Sequence, residues 1–277
     1  MEKEYHSDEK KEIKRLHAII KQQTEHLQGL DLLKADFLNV ISHELKSPLT
    51  PITAYLDLFL KERLGPITAE QREALEIMIR NSSHLQMLIG DIVDLNKLEA
   101  GKIPFTIEPV SLHNIIENVA KDYEHIAKQK GISIRINAAI PPIEGDKKRL
   151  TQVFANLVNN ALKFTPKGEI RITAKKRGYR AFIDVQDTGI GIPSNALDKV
   201  FDKFYQVNRG PARKYPGTGL GLAICRAIIK AHGGEIWVES VPDKSTTFHI
   251  LLYYKRMGKP FEAYSEIFQK ENFVHYQ

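Results

Sequence analysis

The sequence contains little cysteine and no long apolar run. Cys225 is the single cysteine in 277 residues, so the chain cannot close an internal disulfide, and a reducing compartment is expected. No stretch approaches the roughly 20 apolar residues that a membrane-spanning helix needs. The charged start from Met1 to Lys14 does not resemble a signal peptide. These absences predict a soluble, cytoplasmic protein or fragment.

The sequence also has no strong excess of charge. It contains 40 Lys and Arg against 34 Asp and Glu, a formal net charge of +6, and the basic residues are spread along the chain. Binding to nucleic acid is therefore not implied. With 42% hydrophobic residues, a chain of this length is long enough for about two domains with ordinary cores.

Two long amphipathic helices are predicted within residues 34–107. Apolar residues recur every three or four positions from Phe37 to Phe59, which is the period of one helical face. This helix is expected to end near Gly65, and the capping-box pattern of Thr68–Gln71 predicts the start of the second helix. Each apolar stripe exceeds what one facing helix can cover. The antiparallel hairpin is therefore predicted to form an all-α four-helix bundle with a second copy, as a homodimer.

The two ends of the chain carry weaker patterns. Residues 1–33 are charged, free of proline and dotted with apolar residues at helical spacing, which predicts a helical lead-in that pairs with another copy. A solvated arm is the alternative. Residues 257–277 show little pattern and are expected to form a tail.

Between residues 108 and 256 short strands alternate with helices, which predicts an α/β domain with one sheet face covered by three helices. Helices are expected after the capping residues Ser111 and Asp146, and from about Gly219 to His232. A turn at Arg177-Gly178 predicts a hairpin. The predicted strands are 103–108, 132–137, 169–175, 180–185, 235–239 and 246–254.

His43 lies on the polar face of the first predicted helix, nearly opposite the apolar line through Phe37, Ile41 and Leu45. A neutral imidazole, whose ordinary pKa is about 6.5, is a competent nucleophile at physiological pH. The neighbouring Glu44 can accept a hydrogen bond from the second ring nitrogen and so fix the tautomer. An isolated surface histidine is ordinarily only solvated, so this interpretation depends on the surrounding motifs.

Three polar residues share one face of the helix that follows Asp146. Asn156, Asn160 and Lys163 stand at positions i, i+4 and i+7, a face that needs a polar partner unless it is simply solvated. Amide oxygens suit Mg²⁺, a hard ion that keeps some of its waters and bridges phosphates, and a lysine can pair with phosphate charge. The face therefore suggests a place for a metal and phosphates.

Two glycine loops follow. The first, Asp187–Gly191 (DTGIG), comes directly after a predicted strand, where the carboxylate can accept the exocyclic amine of adenine and the glycines let the backbone approach the ring. The second, Gly217–Gly221 (GTGLG), opens a helix whose N-terminal amides favour phosphate. Residues 194–216 between them are expected to form a mobile lid. Its basic residues that could reach phosphates are Arg209, Arg213 and Lys214.

Together these motifs resemble, in order and spacing, those of sensor histidine kinases of two-component systems over about Phe37 to Leu252. The run around His43 is similar to the phosphoacceptor motif of the HisKA-type dimerisation domain. The run Asn156–Pro166 is similar to the asparagine box of the GHKL-type (Bergerat) ATP-binding domain, an α/β two-layer sandwich shared with DNA gyrase. The neighbouring Phe201–Phe204 segment fits the same order of motifs.

The resemblance implies a function. ATP and Mg²⁺ are the expected cofactors, His43 is the phosphorylated residue, and the phosphoryl group passes to an aspartate of a response regulator receiver domain. Glu44 and Ser47 are the expected catalytic neighbours of His43, and Asn160 with Asn156 is expected to hold the metal. The implied nucleotide-binding residues are Asn156, Asn160, Lys163, Phe164, Asp187, Gly189, Gly191, Gly217, Thr218, Gly219, Leu220, Gly221 and Thr247.

Three departures from the family pattern bear on these expectations. Asp243 and Ser245 stand where the family usually has glycines, which removes freedom worth about 1 kcal/mol per site if φ must be positive. Pro216 replaces a glycine at the end of the expected lid and stiffens it. Ser47 stands where the family more often has threonine or asparagine to orient water for dephosphorylating the partner. Phosphatase activity is therefore left open.

Two other functions are alternatives. An ATPase of the gyrase or chaperone type would hydrolyse ATP to drive a dimer clamp, but those proteins use a glutamate at the position of Asn156. A degenerate kinase that only scaffolds a response regulator is favoured by Asp243 and Ser245. It is opposed by the presence of His43, Asn160 and Asp187.

Overall fold

The structure is a computed structural model that describes Arg15 and residues 40–42, 44–101, 103–207 and 217–254. The chain divides into two compact units, Met1–Ile103 and Pro104–Gln277. The boundary predicted from the sequence lies a few positions further along, and the predicted domain limits stay predictions. No helix in the described residues is long and apolar enough to cross a membrane.

Several predicted features lie outside the described residues. They are the lead-in 1–33 apart from Arg15, the phosphoacceptor His43, the lid residues Arg209, Arg213, Lys214 and Pro216, and the tail 257–277.

The first unit contains two helices joined by a short turn. Residues 40–42 and 44–60 are helical and form α1, and α2 spans Ala69–Glu99. The predicted capping box is confirmed, because the Gln71 N–H donates to the Thr68 hydroxyl at 3.2 Å and the Thr68 N–H donates to the Gln71 side chain at 2.8 Å. Gly65 has a φ of 117° in the turn where the first helix is expected to end.

Polar side chains join the two helices of this hairpin. Thr53 Oγ1 lies 2.8 Å from Ser82 Oγ, and Gln86 Nε2 donates to Thr53 Oγ1 at 3.2 Å. Ser82 is buried within the predicted apolar stripe of α2, and its bond to Thr53 satisfies the buried hydroxyl. Other members of the two stripes are exposed in the single chain, namely Leu45, Ile52, Phe59, Met78 and Leu85.

The second unit contains seven strands, three α-helices and a short 3-10 helix within the described residues. Their order is β1 Glu108–Val110, α3 Leu112–Lys130, β2 Ile132–Asn137, β3 Ile143–Gly145, α4 Lys147–Phe164, β4 Gly168–Arg177, β5 Arg180–Asp187, the 3-10 helix Ser194–Lys199, α5 Gly221–Ala231, β6 Glu235–Val241 and β7 Ser245–Tyr253.

Local capping chemistry determines where the first two helices of this unit begin. The Ser111 side chain accepts the N–H of Asn114 at the start of α3, and the Asp146 side chain accepts the N–H of Arg149 at the start of α4. Gly131, with a φ of 67°, ends α3 in the left-handed conformation that glycine tolerates. These three predicted boundaries are confirmed.

The main sheet has the strand order β2-β4-β5-β7-β6, in which β2 pairs with β4 in parallel and the other neighbours are antiparallel. Every second residue of β5 is buried, from Ala181 to Asp187, because α3, α4 and α5 pack against one face of the sheet. The predicted helical hairpin followed by an α/β two-layer sandwich is therefore confirmed.

The predicted strand 103–108 is wrong. Only Glu108–Val110 forms a strand there, and it pairs with Ile143–Gly145 in a separate two-stranded sheet. The Thr106 N–H instead donates to Asp146 Oδ2 at 2.9 Å. His232 completes this cluster, since its Nε2 accepts the Asp146 N–H at 2.9 Å. The Asp146 carboxylate therefore accepts the Thr106 N–H, which in a strand would donate to a neighbouring strand.

Candidate active site

Helix α4 carries three predicted site residues on one side and the core on the other. Asn156, Asn160 and Lys163 are each only partly exposed, although they stand on the polar face of the helix. The face is therefore partly covered by other parts of the unit, which a simply solvated face would not be. The buried residues of the opposite face are Leu150, Val153, Phe154, Leu157, Val158, Ala161 and Leu162.

The glycine loop that follows β5 is attached to the C-terminal end of α4. The Ile190 N–H donates to the Phe164 carbonyl at 3.1 Å. A Cβ added to Gly189 would lie 2.5 Å from the Phe164 carbonyl oxygen, so only glycine permits this approach of the two backbones. The predicted residues Phe164, Gly189 and Asp187 are thereby brought together.

Asp187 is the buried acid of this loop, with 4% of its surface exposed. Its Oδ1 accepts the Gly189 N–H at 2.9 Å and the Thr165 hydroxyl at 3.5 Å. Burial raises the pKa of Asp187 to about 6, against the lowering effect of these two hydrogen bonds. At neutral pH the side chain is mostly an ionised acceptor inside the protein, which suits a ligand amine.

The same loop packs against the turn between β6 and β7. The Ile192 N–H donates to Ser240 Oγ at 2.8 Å, and the Asp243 N–H donates to the Ile190 carbonyl at 2.8 Å. Gly191 has a φ of 69°, and a Cβ there would lie 2.4 Å from the Val241 carbonyl oxygen. The glycine is therefore required both by its conformation and by the close backbone.

The backbone conformation differs between Asp243 and Ser245, the two positions where the family usually has glycine. Asp243 has a φ of 58°, a conformation that favours glycine, so the expected strain is present there. Ser245 is the first residue of β7 and is not among the residues with positive φ. The substitution at Ser245 therefore removes no conformation that the backbone needs.

The second glycine loop lies on the same face of α4. A Cβ added to Gly217 would lie 2.6 Å from Lys163 Nζ, and Asn156 Nδ2 donates to the Gly221 carbonyl at 3.4 Å. Thr218 Oγ1 accepts the Leu220 N–H at 3.0 Å. The loop leads into α5, whose first residue is Gly221, two positions after the predicted start at Gly219. Its backbone is thus held beside Lys163 and Asn156.

Gly219 packs this loop against Phe204, which lies within the predicted lid. It has a φ of 73°, and a Cβ there would lie 2.8 Å from the Phe204 carbonyl carbon. The Phe204 N–H donates to the Gly219 carbonyl at 3.0 Å, and Gln206 Nε2 donates to the Gly217 carbonyl at 2.7 Å. Residues 194–199 of the predicted lid form the 3-10 helix, and the lid itself stays a prediction.

Lys163 supplies the positive charge of this region. Its Nζ lies 4.9 Å from the centroid of the Phe164 ring, a cation–π distance. Burial lowers the pKa of Lys163, because a partly desolvated ammonium loses hydration. A phosphate oxygen would restore that lost stabilisation of the charge.

Thr246, and not the predicted Thr247, shares the sheet face of Asp187. Asp187 pairs with Thr246, and Gln186 pairs with Thr247, so Thr246 shares the sheet face of Asp187 and Thr247 points to the other face. Thr246 is also buried. The period-two pattern through Phe248 and Thr246 could have identified it. Thr246 is therefore added to the candidate site, and the role of Thr247 stays a prediction.

The donor set on α4 fits a magnesium ion. Asn156 uses its amide nitrogen toward Gly221, which leaves the amide oxygen for a cation or its water, and Asn160 offers a second amide oxygen. No group of three or more His, Cys, Asp or Glu in the described part of the chain could hold a metal. Two amide oxygens suit Mg²⁺, which keeps several waters and takes ligands from phosphates.

The first unit contains the neighbours of the predicted phosphoacceptor. Glu44 and Ser47 lie in α1, and both are exposed. His43 itself lies outside the described residues, so its role stays a prediction.

Family models match both units. Residues 33–101 match the His Kinase A (phospho-acceptor) domain, and residues 145–256 match the histidine kinase-, DNA gyrase B-, and HSP90-like ATPase. The chain belongs to the sensor histidine kinases of two-component systems. The family expected from the resemblance is thereby confirmed, and the second unit of this histidine kinase is an ATP-binding domain of that class.

Two relatives show how much of a larger protein this histidine kinase core matches. It is 35% identical over 240 residues to the circadian input-output histidine kinase CikA of Synechococcus elongatus (strain ATCC 33912 / PCC 7942 / FACHB-805), covering 85% of this chain and 32% of CikA. It is 35% identical over 224 residues to the signal transduction histidine-protein kinase BarA of Escherichia coli (strain K12), covering 78% of this chain and 24% of BarA. The chain thus spans a third or less of these relatives.

A solved structure shares the fold of the kinase. Full-length ShkA in complex with AMPPNP has a TM-score of 0.69 and 29% sequence identity to this chain, and the match covers 80% of this chain and 46% of ShkA. The structural likeness therefore extends well beyond the ATP-binding domain.

Proposed function

We propose that this kinase uses ATP to phosphorylate its own His43 and then passes the phosphoryl group to an aspartate on the receiver domain of a response regulator. One observation carries the nucleotide part of this proposal: both glycine loops contact α4, one at Phe164 and the other at Asn156 and Lys163. Both loops therefore lie beside α4, at its C-terminal end and along its polar face.

The adenine end of the proposed site lies around Asp187. Its buried carboxylate accepts the exocyclic amine of adenine, and Gly189 and Gly191 keep the loop backbone close to the ring. Phe164, at the end of α4, packs on the base. Thr246 is buried on the same sheet face as Asp187 and pairs with it in the sheet register.

The phosphate end lies at the start of α5. Lys163, together with the backbone amides from Gly217 to Gly221, offers positive charge and donors to the phosphates, and the N-terminus of α5 adds its dipole. Asn160 and Asn156 would hold Mg²⁺, which neutralises phosphate charge when bound. Leu220 and Thr218 support the loop, since the Leu220 N–H bonds to the Thr218 hydroxyl.

The chemistry of transfer needs a nucleophile and a tautomer-fixing partner. A neutral imidazole at His43 attacks the γ-phosphorus in line with the leaving oxygen. Glu44 accepts a hydrogen bond from the other ring nitrogen, and this bond strengthens as positive charge builds during attack. Ser47 could hold a water for dephosphorylation of the partner.

The partners follow from the first unit. Exposed apolar side chains on both helices, such as Leu45 and Met78, support a homodimer in which two hairpins form a four-helix bundle. The receiver domain of a response regulator is the proposed recipient of the phosphoryl group. We place the reaction in the cytoplasm, where the buried thiol of Cys225 stays reduced.

Incubation with ATP labelled on the γ-phosphate, followed by acid and base treatment, tests this proposal. Phosphohistidine is labile in acid and stable in base, so the predicted result is protein-bound label that acid removes and base leaves. Release of phosphate without label on the protein would indicate a clamp-type ATPase. Nucleotide binding without either outcome would indicate a scaffold.

A further inference from the structure

Thr165 ends α4 and is fully buried, with 0% of its surface exposed. Its N–H donates to the Ala161 carbonyl at 3.0 Å, and its own φ and ψ of −101° and 109° turn the chain out of the helix. A hydroxyl in such a place needs a hydrogen-bond partner, because an unpaired buried polar group is costly. The buried hydroxyl of Thr165 therefore requires a hydrogen-bond acceptor close to the end of α4.

The acceptor is Asp187. The Thr165 hydroxyl donates to Asp187 Oδ1 at 3.5 Å, and the Gly189 N–H donates to the same oxygen at 2.9 Å. Neither bond uses Oδ2. The two donors approach from different elements, the end of α4 and the glycine loop, and both donate to the same carboxylate oxygen. One oxygen is thus bound by the protein and the other is left for a ligand.

We propose that Thr165 is a positioning residue for nucleotide recognition: its hydroxyl holds Oδ1 of Asp187 so that an ionised Oδ2 meets the exocyclic amine of adenine. This inference depends on the proposed role of Asp187 in adenine binding. Thr165 itself does not contact the base. Its effect passes through the orientation and the charge of one carboxylate.

Burial and hydrogen bonding have opposite effects on the pKa of the Asp187 carboxyl. Burial raises the pKa of Asp187 to about 6, and the hydrogen bonds from Gly189 and Thr165 oppose this rise. Removal of the Thr165 donor therefore raises the pKa further. If adenine prefers the ionised form, nucleotide affinity falls as pH drops through this pKa, and loss of the hydroxyl moves that fall to higher pH.

The sequence offers a matched control for this effect. Thr173 Oγ1 donates to Asp184 Oδ2 at 3.4 Å, which is the same pair of residue types at a similar distance. Asp184 and Asp187 lie three positions apart in β5, where they pair with His249 and Thr246 of β7. Side chains alternate along a strand, so the two aspartates point to opposite sheet faces. Thr173→Val removes an equivalent bond without touching the proposed site.

Calorimetric titration of the full chain with ADP, from about pH 5 to about pH 8, tests the proposal. Thr165→Val is expected to weaken ADP binding about tenfold at neutral pH and to move the pH midpoint of affinity upward. Thr165→Ser, which keeps the hydroxyl, should restore both values, and Thr173→Val should match the wild type. An unchanged pH midpoint in Thr165→Val would overturn the proposal.

A second measurement is needed in case Thr165→Val folds poorly. It also separates the positioning role of Thr165 from the proposed contact of Asp187 with adenine. Carbon-13 NMR titration of the Asp187 carboxyl, in the wild type, in Thr165→Ser and in Thr165→Ala, reports its pKa without nucleotide. A higher pKa in Thr165→Ala alone supports the positioning role, and equal values in all three refute it. Asp187→Asn with wild-type ADP affinity would instead refute the proposed adenine contact and leave the NMR result standing.

Discussion

The ammonium of Lys163 occupies the space that a side chain at Gly217 would need, since a Cβ on Gly217 would lie 2.6 Å from Lys163 Nζ. The lysine end is flexible and can move away. Gly217→Ala is therefore expected to change the free energy of unfolding by less than about 0.5 kcal/mol. It should nevertheless weaken ADP binding about tenfold, because the displaced ammonium no longer faces the phosphates. Calorimetry and thermal unfolding of the same variant measure both effects.

Gly189→Ala is the matched comparison for Gly217→Ala, and it is expected to lose more stability. There the added Cβ meets the Phe164 carbonyl oxygen at 2.5 Å and Asp187 Oδ1 at 2.7 Å, and the backbone cannot move aside cheaply. A loss of about 1–3 kcal/mol in unfolding free energy is expected. Equal stability of the two alanine variants would show that the loop does not pack on α4 as described.

The left-handed conformation of Asp243 predicts a stabilising substitution. With a φ of 58°, Asp243→Gly should raise the free energy of unfolding by up to about 1 kcal/mol, because glycine adopts this conformation without strain. Ser245→Gly is the control, since Ser245 lies in a strand and glycine there should destabilise the protein by about 0.5–1 kcal/mol. Urea unfolding of both variants measures the difference. Stabilisation by Ser245→Gly would contradict this description of the turn.

Asp187 should reduce the stability of the protein at alkaline pH. The pKa of Asp187 rises from an ordinary 3.8 to about 6 in the folded protein, so folding takes up a proton between these values and stability falls as pH rises through them. Above about pH 6 the ionised, buried carboxylate carries the full penalty. Asp187→Asn is therefore expected to be about 1–3 kcal/mol more stable than the wild type at about pH 8.

This stability difference has its own internal control. Near about pH 4 the carboxyl is largely protonated in the folded protein and only half ionised in the unfolded chain, so the advantage of Asp187→Asn should nearly vanish. Urea unfolding at both pH values checks the trend. A variant that is less stable than the wild type at alkaline pH would show that Asp187 carries no such penalty.

Much of the fold could be predicted because its boundaries depend on local chemistry. Ser111, Asp146 and the Thr68–Gln71 pair accept or exchange backbone hydrogen bonds within one helical turn, and such caps are visible in a short stretch of sequence. The polar face of the asparagine-box helix could also be predicted locally, because the spacing of its polar residues alone places them on one face.

The features that were not predicted depend on contacts distant in sequence. The strand Ile143–Gly145 is short and pairs with the distant strand Glu108–Val110. The Thr106 N–H bonds to a carboxylate 40 positions away. The choice between Thr246 and Thr247 depends on the register of β7 against β5. A one-residue error in register exchanges the two faces of a strand, and the sequence motif alone did not fix that register.

The hairpin of the first unit predicts a dimer. Ile52 and Met78 are about half exposed, at 50% and 54%, and a second hairpin would bury such side chains. The full chain should therefore be a dimer by light scattering at micromolar concentration. Ile52→Arg should shift it toward monomer, and Glu73→Arg, at an exposed position outside the stripe, should not. A wild-type monomer would contradict the proposed bundle.

The most direct test of the central claim is the labelling of His43→Gln with ATP carrying a labelled γ-phosphate. This variant should acquire no acid-labile, base-stable label, because the nucleophile is absent. Its affinity for ADP should stay close to that of the wild type, because the proposed nucleotide site lies entirely in the second unit. Label at the wild-type level in His43→Gln would show that His43 is not the phosphorylated residue.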